Sequence, residues 1–169
     1  MRSAFAWLLV ACVACAAHAR TGTFEATVTH VTDGDTLWVR PAAGGAPLAV
    51  RMQGIDAPEL CQPGGPQALA ALAARVAHGR VRVLAQGQDD FGRTLARVEL
   101  RGGDLGRWLV RSGHAWSYRF RRNSGPYAHE EQLARKAHLG LWGEAHPVEP
   151  RAFRRWHGPC DAPTGPRKR

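Results

Sequence analysis

The sequence predicts one α+β domain, a five-stranded Greek-key β-barrel with three helices packed on it. Strand-like runs cluster ahead of the first helical repeat, a second pair follows it, and two further helical patterns come after that. This order segregates strands from helices instead of alternating them, and the short strands suit a closed barrel. The length of 169 residues suits one hydrophobic core and is short for two.

The chain opens with Met1-Arg2, an apolar run from Ala4 to Ala17, and Ala17-His18-Ala19. A charged start, apolar middle and small-x-small end make a secretory signal peptide over 1–19, with cleavage after Ala19. The run falls short of the ~20 residues of a membrane helix, so no span is expected. Leu9-Val10-Ala11 before Cys12 leaves a lipoprotein lipidated at Cys12 as the alternative.

The folded domain is expected over 20–148. Phe24 to Thr32 is apolar and β-branched, Asp33-Gly34 breaks it, and Thr36 to Val39 resumes, which reads as two strands and a turn. After an Ala- and Gly-rich loop, Leu48 to Ile55 makes a third strand. Pro66 suits a first helical position, and Leu69, Leu72, Ala73 and Val76 recur on one face until Gly79. Val81 to Ala85 and Thr94 to Leu100 are two more strands around the turn-like Asp89-Asp90-Phe91-Gly92. A second helix runs from Asp104 to Ser112 with Gly113 as its stop, His114 to Tyr118 is extended, and a third helix spans roughly Pro126 to Leu139. Beyond Pro147 the chain is Pro- and Arg-rich, so 149–169 is expected to be a basic, mobile tail.

The formal charge is +9, and loss of Arg2 with the signal leaves +8. A field of this sign concentrates polyanions and favours nucleic acid as partner, although anionic lipid would answer the same charge. Signal cleavage also removes Cys12 and Cys15, leaving Cys61 and Cys160. An even pair in an exported protein invites a disulfide between them. The His residues are scattered without metal-ligand spacing.

Three short clusters carry chemistry. Asp33-Gly34-Asp35-Thr36 is a hairpin turn that can also present carboxylates. Arg51 to Glu59 puts Arg51, Gln53 and Ile55 on one strand face and Asp56 and Glu59 where the strand runs out. Asp90-Phe91-Gly92-Arg93 is a second turn. Each alone reads equally as a surface turn or strand end. Together they supply what phosphodiester hydrolysis requires: carboxylates for a hard cation, arginine forks for phosphate oxygens and a base for water.

On these residues, and on Glu131-Gln132-Leu133-Ala134-Arg135-Lys136 with Leu139-Gly140-Leu141-Trp142, the chain resembles the staphylococcal nuclease (thermonuclease) family from Phe24 to Trp142. The resemblance implies an OB-fold barrel and a Ca²⁺-dependent endonuclease that cuts DNA and RNA to leave 3′-phosphate ends. It makes Asp35, Asp56 and the main-chain carbonyl of Ala57 the calcium ligands, with Asp33 behind them. Arg51 and Arg93 become the phosphate-binding and transition-state residues, and Glu59 the general base. Phe91 stands at a tyrosine position and keeps only the aromatic face, while Trp116 or Tyr118 would stack on a base. No obligatory protein partner is implied, and a monomer is expected. The rival is a nucleic-acid-binding module on the same barrel without catalysis, since fold alone does not set function.

Overall fold

A computed structural model of the protein describes residues 21–77, 79–121, 123–158 and 160. The expected signal peptide, the Cys12 alternative and the chain after Cys160 lie outside the described residues. The strands are β1 (Gly22–Val31), β2 (Thr36–Pro41), β3 (Leu48–Met52), β4 (Ile55–Asp56), β5 (Arg80–Gln88), β6 (Thr94–Leu100), β7 (Gly103–Asp104) and β8 (Trp116–Ser117). The helices are α1 (Gly65–Val76), α2 (Leu105–Arg111), α3 (Ala128–Lys136) and α4 (Pro150–His157), with a 3-10 turn at Gly140–Gly143.

Period-two alternation aims Ala26 and Val28, Leu37 and Val39, Val81 and Val83, and Ala96 and Val98 to one side of their strands, and all eight are buried. Burying a side chain of this size stabilises the fold by ~1.5–3 kcal/mol, so one inward face per strand is enough to curl the sheet around a core. Antiparallel neighbours run β3-β2-β1-β5-β6-β7, and a parallel pairing of β3 with β6 closes the barrel. The closure matches Val50 with Thr94, Arg51 with Leu95 and Met52 with Ala96. Five strands therefore form the mixed barrel, as the sequence predicted.

Helix α1 packs Ala68, Leu72 and Val76 into this core, and α2 adds Leu105, Leu109 and Val110. The Asp104 side chain caps α2 by accepting from the Arg107 N–H at 3.0 Å, replacing one of the donors a helix start leaves unsatisfied. A second, smaller cluster of Trp116, Ala134, Leu141 and Trp142 seats α3 and the 3-10 turn.

Two expectations give way. The third strand does not continue to Ile55. It stops at Met52, because Gly54 has φ 82°, a left-handed conformation that ends pairing and that glycine adopts without strain. The chain then re-enters as β4, pairing with β8 through Ile55↔Ser117 and Asp56↔Trp116. Arg51 and Ile55 consequently do not share one strand face. The tail also differs: Pro150–His157 is a fourth helix, with Phe153 buried on it. One anchoring aromatic with Pro150 in the first turn suffices for a helix of this length, and with only Pro150 and Phe153 buried there is no apolar repeat for periodicity to reveal.

Candidate active site

The barrel closure determines which side chains meet. Thr36 of β2 pairs with Arg51 of β3, and Arg51 pairs with Leu95 of β6. Asp35, Arg51 and Arg93 therefore arrive at one end of the barrel from three adjacent strands. They line an open cleft of about 1020 Å³ together with Asp33, Asp56, Ala57, Glu59, Asp89, Phe91 and Tyr118.

Asp35 sits at the foot of β2 in a tight turn. Its N–H donates to Asp33 Oδ1 at 3.0 Å, so Asp33 shapes the turn that aims Asp35. Gly34 lets the turn press on its neighbours: a Cβ there would fall 2.7 Å from the Cβ atoms of both Ala57 and Ala68. Asp35 Oδ2 accepts the Ala57 N–H at 2.7 Å and lies 2.7 Å from Arg51 Nη1. Burial pushes the Asp35 carboxyl up to about 7 against the pull of Arg51, with Asp33 adding to the rise. A buried carboxylate so placed needs positive charge beside it to stay ionised.

Arg51 spans the two acids. Its Nη2 donates to Asp56 Oδ1 at 3.2 Å, and Nη1 also reaches the carbonyls of Met52 and Ile55 at 3.3 and 3.4 Å. Asp56 is buried and is positioned from behind. Strand β8 pairs with it, and buried Glu131 of α3 accepts the Ser117 N–H of that strand at 2.9 Å. Glu131 also holds Arg119 and Arg135, so its charge is balanced where it lies.

Glu59 follows in the loop after β4. Its N–H donates to Gln62 Oε1 at 3.2 Å, while buried Gln62 donates from Nε2 to the Val148 carbonyl at 2.6 Å. Arg93 faces the cleft from the far side, held by Asp89 through Nε at 2.7 Å and touching Thr36 Oγ1 at 3.5 Å. Asp89 accepts the Phe91 and Arg93 N–H groups as well, at 3.0 and 2.9 Å. Although its partial burial works against charge, these bonds hold the Asp89 carboxyl below its ordinary range. Phe91 is 84% exposed at the rim, with the Arg93 guanidinium 5.4 Å from its ring centre.

The donors at the cleft floor are all oxygen and suit a hard cation. One guanidinium bridges Asp35 and Asp56, so their oxygens face a common, positively filled space. Among the described residues no group of three Asp, Glu, His or Cys side chains converges as a metal-ligand set. Asp35 and Asp56 are then the two carboxylates that Arg51 joins at the floor, a sparse set that leaves most positions around a hard cation to other oxygens.

The two stacking candidates separate. Tyr118 lines the cleft and is half-exposed, whereas Trp116 is 2% exposed and packs edge-on against Trp142 at 5.0 Å. Trp116 is a core residue and cannot present a face to a base. Cys61 and Cys160 are bonded, with Cα atoms 5.7 Å apart.

A further residue of this site is marked in the sequence only as part of the Arg-rich stretch after Pro147. Arg154 of α4 donates from Nη1 to Asp56 Oδ1 at 3.1 Å and to Glu59 Oε1 at 2.7 Å, and from Nη2 to Asp56 Oδ2 at 3.0 Å. Burial works against its charge, but these bonds outweigh it and drive its pKa up.

A family model described as staphylococcal nuclease homologue matches residues 49–144. An endonuclease of Haemophilus influenzae is 33% identical over 128 residues, covering 76% of this chain and 71% of that protein. The micrococcal nuclease of Shigella flexneri is 33% identical over 144 residues, covering 78% and 81%. The protein ParB of Escherichia coli is 38% identical over 139 residues, covering 76% and 77%.

Proposed function

Because the chain belongs to the staphylococcal nuclease family, we propose that it is an exported, calcium-dependent endonuclease that hydrolyses DNA and RNA and leaves 3′-phosphate ends. The observation that carries this reading is the Arg51 guanidinium bridging Asp35 and Asp56, with Arg93 facing the same cleft. Carboxylates and arginine forks are gathered where a phosphodiester can lie between them.

Asp35, Asp56 and the Ala57 carbonyl would hold the cation. When bound, calcium supplies a fixed double positive charge beside the scissile phosphate. Arg51 and Arg93 clasp its non-bridging oxygens, and their forks bind more tightly as charge builds on phosphorus. Glu59 takes a proton from the attacking water at a carboxylate oxygen. The water oxygen bonds to phosphorus as the bond to the 5′-oxygen breaks; the leaving 5′-oxygen takes a proton from solvent to become a hydroxyl, Glu59 returns its proton to solvent, and the phosphate stays on the 3′ side. Phe91 and Tyr118 at the rim offer apolar faces to splayed bases, which favours single-stranded or loosened substrate. The apolar start of the chain and the Cys61–Cys160 bond support export to the periplasm or medium, where disulfides persist.

Nicking of a supercoiled plasmid, with calcium and with excess chelator, tests the reaction, and end-group analysis tests the product. Calcium-dependent nicking with 3′-phosphate ends is expected. Full activity in chelator would remove the cation from the mechanism. Binding without any cleavage would make the protein a nucleic-acid-binding module on the same barrel.

A further inference from the structure

Helix α4 is fastened to the site at three points. Phe153 is buried beneath it, Gln62 donates to the Val148 carbonyl just ahead of it, and Cys160 just beyond it is bonded to Cys61 of the Glu59 loop. Phe153 supplies the apolar contact, so packing alone does not require Arg154 to reach inward. Its guanidinium nevertheless engages both oxygens of Asp56 and one oxygen of Glu59.

The charges explain the arrangement. Asp35, Asp56 and Glu59 meet two guanidiniums, those of Arg51 and Arg154. Asp56 Oδ1 receives both arginines, and Oδ2 receives Arg154 alone. A hard cation binds carboxylate oxygens at ~2.3–2.6 Å. Placed on Asp56, it would compete for the same lone pairs and repel a guanidinium held about 3 Å from them. The fork geometry makes Arg154 a strong competitor, and the tether keeps it at high local concentration.

We propose that Arg154, held in place by the Cys61–Cys160 bond, is a resident counter-cation on Asp56 and Glu59 that a divalent cation must displace. This rests on the calcium reading above. The disulfide thereby sets the cation affinity of the site from a segment outside the barrel. By linkage, a cation that displaces Arg154 also loosens α4.

Calorimetric titration of the full, disulfide-bonded protein with calcium chloride, after removal of metal, tests the proposal. Arg154→Gln is expected to bind calcium roughly tenfold more tightly than wild type, and Arg154→Lys to fall between, because it keeps charge but loses the fork. Cys61→Ser/Cys160→Ser is expected to gain a few-fold through the lost tether. Arg155→Gln, the same charge change on the same helix without the contact, is expected to leave the affinity unchanged. In wild type, calcium is expected to speed amide hydrogen exchange across Pro150–His157 with the disulfide intact.

Equal or weaker calcium affinity in Arg154→Gln overturns the proposal while leaving the calcium reading standing. A gain as large in Arg155→Gln also overturns it, since net charge and not the contact would then be responsible. If Arg154→Gln does not fold, Arg154→Lys decides on the same criterion. Absence of calcium binding in wild type and every variant defeats both readings together.

Discussion

A lysine at position 93 would keep the positive charge but lose the planar fork that can grip two phosphate oxygens while Asp89 fixes its stem at Nε. Arg93→Lys is therefore expected to lower kcat by roughly 10²-fold with little change in thermal stability, which plasmid-nicking kinetics and a thermal melt would show. Wild-type turnover would separate Arg93 from the transition state. Trp116 behaves oppositely: being buried against Trp142, Trp116→Ala is expected to cost ~3–5 kcal/mol in denaturant unfolding. A surface-like loss well under 1 kcal/mol would contradict its place in the core. The contrast marks what was readable residue by residue. Asp35, Arg51, Asp56, Glu59 and Arg93 stand in short motifs that are ambiguous one at a time and point to one chemistry only together, and one cleft contains them all. Trp116 was misread because an aromatic in a short extended segment has no periodicity to say which face it occupies. Gln62 and Arg154 lay beyond reach, since each acts through a partner distant in sequence that only the folded chain supplies.

Elements were legible where a pattern repeats often enough to show. Strands β1, β2, β5 and β6 and helices α1 to α3 each carry repeated apolar positions or clear start and stop residues, and they lie where the sequence places them within a few residues. Strand β4 has only two residues, and helix α4 buries only Pro150 and Phe153, so neither shows a repeat; each is specified by a tertiary partner, β8 for one and the Phe153 pocket with the disulfide for the other. The link between α2 and β8 carries a pH dependence of its own. His114 is half-buried beside Trp108, with ring centres 6.2 Å apart, and burial holds its pKa below the ordinary 6.5. As pH falls through 6.5 the unfolded chain takes up a proton that the native His114 resists, so folding is disfavoured, and the loss stops once pH is below the native value. Above 6.5 both states are neutral and the effect vanishes. The melting temperature is expected to fall from pH 7.5 to pH 5.5 by more in wild type than in His114→Gln. Parallel curves for the two proteins would show that His114 titrates normally.

At the scale of the whole molecule, the formal charge of +9 pointed to a polyanionic partner, yet the sum conceals its distribution. Several arginines are matched on the surface, Arg82 by Glu25 and Glu99, Arg97 by Asp104 and Arg107 by Glu130. The cleft runs against the total. Asp33, Asp35, Asp56, Glu59 and Asp89 face Arg51, Arg93 and Arg154 there, which makes the fully ionised lining formally −2. A phosphodiester approaching the metal-free cleft is repelled locally by the protein whose outer field attracts it. A bound divalent cation adds +2 and offsets most of this negative charge, leaving the lining formally −1 when Arg154 is displaced from it, so the cation should be needed for substrate binding and not only for the chemical step. With Glu59→Gln to silence cleavage, a single-stranded oligonucleotide is expected to bind at least tenfold more tightly in calcium than in chelator, by anisotropy. Salt should then report how many phosphates are held. If about four are neutralised, the slope of log K against log salt is about −3, a loss of roughly 50-fold between 50 and 200 mM. In chelator a shallower slope is expected, because only the outer arginines make contact. Identical affinity and slope with and without calcium would place the bound strand on the outer basic surface, away from the carboxylates, and the cleft would lose its claim to be where substrate is captured.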